Sequence, residues 1–194
     1  MISKALAKQV LNDALATGGD YAEIYCEQTD SQSIVLDNGK VEGVGGGQGY
    51  GCGIRIFQGT NSVYGYTSDL TPKSLRKLAS SLSASFEGER VIEVETVKKQ
   101  RVKVINKISD HLYDVPTEEK IALLKECYEE TKAVDPRIVR IVDVFATTHR
   151  VFQLFVGEGS TAKEFVNEEE RGRLVLQSIG AGEGGGIESS FDGP

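Results

Sequence analysis

Residues 37–75, DNGKVEGVGGGQGYGCGIRIFQGTNSVYGYTSDLTPKSL, decide how the rest of the chain is read, because a hairpin signal, a glycine run, an alternating strand and a helix start follow one another without a gap. Asn38-Gly39 tolerates positive φ at both centres of a two-residue type I′ turn. Residues 32–36 and 40–44 are therefore expected to pair, with Leu36 opposite Val41 and Asp37 opposite Lys40.

The glycines at 43, 45, 46, 47, 49, 51 and 53 invite a phosphate-loop reading, which the spacing rejects. No register gives Gly-x-Gly-x-x-Gly, no Gly-Lys-Ser/Thr follows, and a strand rather than a helix comes next. Glycines inside strands mark bulges and close backbone approaches, so the run points to a sheet edge or groove that accepts an extended chain. In residues 51–57, Cys52, Ile54 and Ile56 alternate with Gly53, Arg55 and Phe57, leaving one apolar face and one that carries a cation beside missing side chains. After a turn at 58–61, residues 62–67 return with Tyr64 and Tyr66 on one face. Thr71 then caps a helix over 72–86, with Pro72 at its first position and Leu70 placed to staple onto Leu75.

Upstream, Ile2, Leu6, Val10, Leu11, Ala14 and Leu15 recur at helical spacing before a Gly18-Gly19 stop, and residues 21–27 alternate as a half-buried strand. Downstream, residues 88–116 read as a partly extended charged connection, and Thr117 caps a third helix that buries Ile121, Leu124 and Tyr128. Four strands are expected over 137–145, 151–156, 161–167 and 173–179. This order is α+β, a mainly antiparallel sheet with about three helices packed on it, rather than an alternating parallel fold. One domain is expected over 1–179, divided into sub-units 1–87 and 117–179, with 180–194 a glycine-rich linker. Gly180, Gly182 and Gly185 satisfy Gly-x-Gly-x-x-Gly, but too few residues follow to form the helix that would hold a pyrophosphate.

The chain's net charge of −7 disfavours nucleic acid as a partner. Its basic run Lys98-Lys99-Gln100-Arg101-Val102-Lys103 reads as a solvated strand face or linker. No apolar run reaches the roughly 18 residues that span a bilayer, and the opening residues are not a leader, so a cytoplasmic location without membrane contact is expected. Cys26, Cys52 and Cys127 are too few and too spread for a disulfide framework or zinc knuckle, and Cys52 and Cys127 read as small buried hydrophobes. His111 and His149 form no His-x-x-x-His pair and read as surface or turn residues. Glu168-Glu169-Glu170 and the Glu126, Glu129 and Glu130 cluster read as solvated acidic faces, with weak cation binding as the alternative, and the residues alone show no catalytic centre.

DYAEIYCEQ at 20–28, the run from VEGV to YGCGIRI, GYTSDLTPKSL, EEKIALLKE at 118–126 and DPRI at 135–138 together resemble the N-terminal part of the TldD/PmbA family of metallopeptidases, leaning to the TldD arm. The resemblance implies a zinc site on a His-Glu-x-x-x-His helix in a C-terminal domain, none of whose ligands has a counterpart here. It implies an unfolded peptide lying as an added strand in a cavity that this part helps enclose, a PmbA-type partner subunit or self-association, and an older association with DNA gyrase modulation. Gly51, Gly53, Arg55, Tyr64 and Tyr66 are the expected peptide-facing residues, with sheet packing as the competing role of the glycines. By itself the chain is expected to hold no catalytic zinc and to be inactive. The alternative is a non-enzymatic module that binds a peptide or protein partner.

Overall fold

The computed structural model describes residues 1–101, 108–182 and 186–193. The elements run α1 (Lys4–Ala14), β1 (Tyr21–Asp37), β2 (Lys40–Gln58), β3 (Asn61–Thr67), α2 (Pro72–Ser83), β4 (Thr96–Lys99), a 3-10 turn (Leu112–Asp114), α3 (Thr117–Val134), β5 (Ile138–Gly157), β6 (Thr161–Ala181) and β7 (Ile187–Asp192). The strands lie in the order β3-β2-β1-β5-β6-β4, with β7 also on β6. β2–β3 and β6–β7 are antiparallel and β4–β6 is parallel. The class is α+β, as the order of signals predicts.

Several boundaries differ from the sequence reading. Residues 28–31, 45–50, 146–150 and 168–172 do not interrupt strands but lie inside β1, β2, β5 and β6. Their polar and glycine composition argues for breaks, yet a strand with ladder partners has its backbone groups satisfied whatever its side chains. α2 stops at Ser83, and residues 84–86 close in tight turns in which Phe86 N–H donates to Ser83 O at 3.0 Å. Thr117 is the first helical residue rather than the cap; Pro116 takes the cap position, and the Thr117 hydroxyl accepts from Gln32 Nε2 at 3.1 Å. The charged connection carries β4 and the 3-10 turn, and Ile187–Asp192 of the expected linker is a strand. Val102 and Lys103 of the basic run and Gly185 of the second glycine motif lie outside the described residues.

The chain divides into two compact units that do not follow its linear order. The first holds Met1–Thr29, Gly49–Lys107 and Arg150–Glu168, and the second holds Asp30–Gln48, Ile108–His149 and Glu169–Pro194. Each has its own core.

In the first unit, the predicted periodicity of α1 delivers Ala7, Val10, Leu11 and Ala14 to a core with Ala22, Ile24, Cys26, Cys52, Ile54, Ile56, Leu75, Ala79 and Phe155. The Ser3 side chain accepts from Leu6 N–H and starts the helix. Asn12 binds the backbone of Val94 in both directions, accepting at 2.8 Å and donating at 2.9 Å, which fastens the connection after α2 onto α1. Arg76 reaches Asp13 from α2 with a two-pronged contact of 2.6 and 3.2 Å. Cys26 and Cys52 are buried, and the hydrogen bond to Cys26, followed by burial, holds the Cys52 thiol above its ordinary range. Both fit the role of small core residues.

In the second unit, Ile34 and Leu36 of β1 meet Leu124 of α3, with Ile121, Phe145 and Leu174 around them. Asn38 and Gly39 have φ of 49° and 73°, the positive values a two-residue hairpin turn requires. Asn38 N–H donates to Ile141 O at 2.8 Å and its side-chain oxygen accepts from Ile141 N–H at 3.1 Å. The Tyr128 ring rests on Gly39, where a Cβ would come within 2.8 Å of it. Buried Lys120 donates to Gln32 Oε1 at 2.7 Å. Asp143 of β5 is fully buried, and neither carboxylate oxygen has a hydrogen-bond partner among the described residues. Burial pushes its carboxyl up to about 6.

Two stability measurements follow from these contacts. Gly39→Val forces a branched side chain into positive φ and against Tyr128, and is expected to lower unfolding free energy in urea by about 2–4 kcal/mol. Gly47→Val, in β2 with nothing within 4 Å of the added carbon, is expected to change it by less than about 0.5 kcal/mol. For Asp143 the folded carboxyl titrates above the ordinary 3.8, so its stabilising contribution is present below about pH 4 and lost as pH rises through about 6. Asp143→Asn should therefore gain on the unsubstituted protein between pH 4 and pH 7.5 by about 2–3 kcal/mol. A difference that stays flat across that range would show that Asp143 is ionised in the fold without penalty.

Candidate functional site

Antiparallel register between β2 and β3 pairs Gly53 with Tyr66, Arg55 with Tyr64, and Phe57 with Ser62, so these six share one face. The alternate set, Cys52, Ile54 and Ile56, is buried, and Gly65, opposite Ile54, would place a Cβ 3.0 Å from Leu78 of α2. α2 thus covers the Ile54 face and leaves the Arg55 face open. Of the five residues expected to meet peptide, Gly53, Arg55, Tyr64 and Tyr66 are in register, and Gly51 lies two residues before Gly53 on the same face.

This face carries an arranged set of rings and charges. The Arg55 guanidinium sits 5.3 Å from the Tyr64 ring centroid and 3.7 Å from Glu23 of β1. Tyr21 meets Phe57 edge-to-face at 5.5 Å, and Tyr25 lies 5.5 Å from Phe152 of β5. Arg150 covers Phe152 at 5.8 Å and reaches Glu27 at 3.4 Å. Burial, and then its hydrogen bond to Glu23, pushes the Tyr21 phenol up to about 12, so it stays a protonated donor. Tyr64 and Tyr66 remain 58% and 75% exposed, which leaves their rings available to a ligand. Gly53 serves this arrangement directly: a Cβ there would lie 2.7 Å from the Tyr64 hydroxyl, so the absent side chain lets Tyr64 lie over the strand.

In the second unit, the early part of β2 is exposed, and among the described residues its register with β3 begins only at Cys52. Gly43 and Gly47 have nothing within 4 Å of an added carbon, whereas at Gly46 one would lie 2.7 Å from the Ser31 carbonyl. A shallow groove of about 360 Å³ runs beside Ser31, Gln32, Gly45, Gly46, Gly47 and Tyr113. The glycines there give an accessible backbone with few side chains in front of it.

His149 departs from the sequence reading, whereas His111 stands at a turn as expected. His149 sits inside β5 with its side chain 19% exposed, and His111 caps the 3-10 turn. Their rings meet at 80° with centroids 5.5 Å apart. His111 Nδ1 lies 3.1 Å from Glu170 Oε2, whose other oxygen accepts from Tyr113 N–H at 2.8 Å. His149 Nδ1 lies 3.9 Å from Asp30, which in turn accepts from Gln48 Nε2 at 2.6 Å. Spacing along the chain carries no signal for this grouping; only the pairing of distant strands makes it.

Two family models match the chain, the PmbA/TldA metallopeptidase domain 1 over residues 22–86 and the PmbA/TldA metallopeptidase central domain over residues 110–191. A metalloprotease TldD homolog of Haemophilus influenzae is 21% identical over 187 residues, and one of Buchnera aphidicola is 22% identical over 181. Each alignment covers 89% of this chain, which spans only 38% of the length of either relative. Among solved structures, a putative modulator of DNA gyrase from Bacteroides thetaiotaomicron is similar with a TM-score of 0.72 at 18% identity, covering all of this chain and 45% of that one. TldE from Thermococcus kodakarensis is similar with a TM-score of 0.60 at 12% identity, covering 98% of this chain and 42% of that one. At such identities the likeness to solved structures speaks for the fold.

Proposed function

We propose that this chain, which belongs to the PmbA/TldD metallopeptidase family, supplies the peptide-holding part of a TldD-like zinc metallopeptidase acting on unfolded peptides. The observation that carries the reading is the open face of the first unit, where Arg55, Tyr64 and Tyr66 share one side of the β2–β3 hairpin with Gly51 and with Gly53, on which the Tyr64 ring lies. An unfolded peptide offers backbone groups and occasional apolar side chains whatever its sequence. Exposed rings and a cation beside glycine-bordered backbone suit such a ligand, because they select extended chain rather than a particular residue. Among the described residues β3 closes the strand order on that side, which leaves its outer edge in position for an added strand.

The residues present do not fit the family's hydrolytic zinc. Its ligands follow a His-Glu-x-x-x-His helix, whereas His111 and His149 lie on a turn and a strand. On this reading, zinc and the hydrolytic step belong to a catalytic domain outside the 194 residues, and the greater length of the relatives is consistent with one. A PmbA-type subunit or a second copy is the expected partner, in the cytoplasm. The same face also serves a non-enzymatic binding module, since it engages peptide without metal.

Binding of fluorescently labelled, reduced and carboxymethylated lactalbumin by the purified chain tests the proposal. The Tyr64→Ala/Tyr66→Ala double variant should bind at least about fivefold more weakly, roughly 1 kcal/mol, with its melting temperature unchanged because both rings are exposed. Gly53→Val, whose added carbon has its three nearest contacts on the exposed Tyr64, should likewise weaken binding before it lowers the melting temperature. Equal affinity in both variants would remove this face from the proposal. Peptide hydrolysis by the 194-residue chain itself would overturn the placement of the chemistry elsewhere.

A further inference from the structure

We propose that His111 and His149, backed by Glu170 and Asp30, bind a single zinc-class divalent ion that ties the 3-10 turn to strand β5 within the second unit. This site is distinct from the family's hydrolytic zinc and does not depend on the peptide-binding reading.

A ring nitrogen of His111 and one of His149 lie within 4.8 Å of each other, although the two residues are far apart in sequence. Two imidazoles sharing a tetrahedral ion at metal–nitrogen distances of 2.0–2.1 Å have their nitrogens about 3.3 Å apart. The observed separation is therefore within about 1.5 Å of a coordinating one. His149 is held by the ladder of β5, whereas His111 precedes a single 3-10 turn, so closure falls on His111.

The carboxylates supply a second reason. Each ring has its Nδ1 side turned to an acid, Glu170 for His111 at 3.1 Å and Asp30 for His149 at 3.9 Å. The Glu170 carboxylate, accepting from His111 Nδ1–H, fixes that tautomer, leaves coordination to Nε2 and raises its basicity, the usual support behind a metal-bound histidine, while Asp30, beyond hydrogen-bond distance, sets a negative charge beside His149. Both acids are nearly buried, with side-chain exposures of 5% for Glu170 and 11% for Asp30, and each is itself anchored, to Tyr113 N–H and Gln48. Thr147, two residues before His149 on β5, has a buried hydroxyl without a hydrogen-bond partner among the described residues. Paired imidazoles select zinc, cobalt and nickel over magnesium and calcium, which prefer all-oxygen shells.

The experiment uses the tag-free 194-residue protein, in which these are the only two histidines, so every imidazole signal reports the site. With one equivalent of Zn²⁺, long-range ¹H–¹⁵N spectra should show both rings shifting together and Nε2 of each taking the metal-bound position. Calorimetry should give one ion per chain. His111→Ala and His149→Ala should each weaken binding at least tenfold, and Glu170→Gln about tenfold without abolishing it. Mg²⁺ should leave both rings unmoved. A ring that does not respond to Zn²⁺, a response to only one histidine, or equal shifts with Mg²⁺ would overturn the site. Because these shifts are read on the unsubstituted protein, they decide the matter even where a variant fails to fold. Peptide binding is expected to be the same with and without Zn²⁺, which separates this result from the fate of the peptide-holding face.

Discussion

The tight turn at Asn38-Gly39 is the constraint on which the remaining pairings rest. Both residues occupy positive φ, so the two strands they join must leave the turn in one register. Strands repeat every two residues, and a slip of one would turn Ile34 and Leu36 out of the core and bring Val35 and Asp37 in. The structure holds the turn from two directions. Asn38 exchanges backbone and side-chain hydrogen bonds with Ile141 of β5, and Tyr128 of α3 packs against the glycine that only a missing side chain allows. One dipeptide therefore fixes a hairpin, the strand beside it and the helix above it.

The glycines that follow have different physical roles, which a composition argument treats as one. Gly46 is required by a carbonyl oxygen, Gly53 by a tyrosine that lies across it, and Gly65 by leucines of α2, whereas Gly43 and Gly47 face open space. At Gly46 the neighbour is backbone and at Gly65 it is leucines packed on the core, whereas at Gly53 it is the exposed Tyr64 ring. The open ones are not explained by packing, since a β-branched residue would suit a strand better there. The sequence alone leaves packing and recognition as equal alternatives for the run, and the structure shows close neighbours at Gly46 and Gly53 and none within 4 Å at Gly43 and Gly47.

Much of the architecture is legible because its signals are local. Asn38-Gly39, the Thr71-Pro72 helix start, and the alternation of Cys52, Ile54 and Ile56 are each read within a few residues and each stands in the structure. What escapes reading depends on distant partners. Gln28, Asp30 and the stretch around His149 look like turns in isolation, but lie inside β1 and β5, where the ladder satisfies the backbone. Thr117 carries a capping side chain, yet Gln32 of β1 claims its hydroxyl. Alternation groups Gly51, Gly53 and Arg55 on β2 and Tyr64 and Tyr66 on β3, and the register between the strands puts the two groups on one face. Neither the contact of Arg55 with Glu23 nor the stacking of Tyr64 over Gly53 can be read that way.

The histidines show the limit of motif reasoning most clearly. A metal-binding helix announces itself because i and i+4 share a helix face, so spacing alone implies proximity. Residues brought together by a loop and a strand share no such rule, and their proximity depends on how β5 and β6 align. Glu170 is placed to hold His111 because β6 continues through 168–172, the stretch whose charged sequence argues most strongly against a strand. The feature that hides the continuous strand from the sequence is therefore the one that assembles the cluster. Acidic residues in that position are poor strand formers, and a carboxylate kept 5% exposed carries a desolvation cost. Their presence against local propensity fits a cluster that works as a group, with Glu170 fixing one imidazole and Asp30 facing the other.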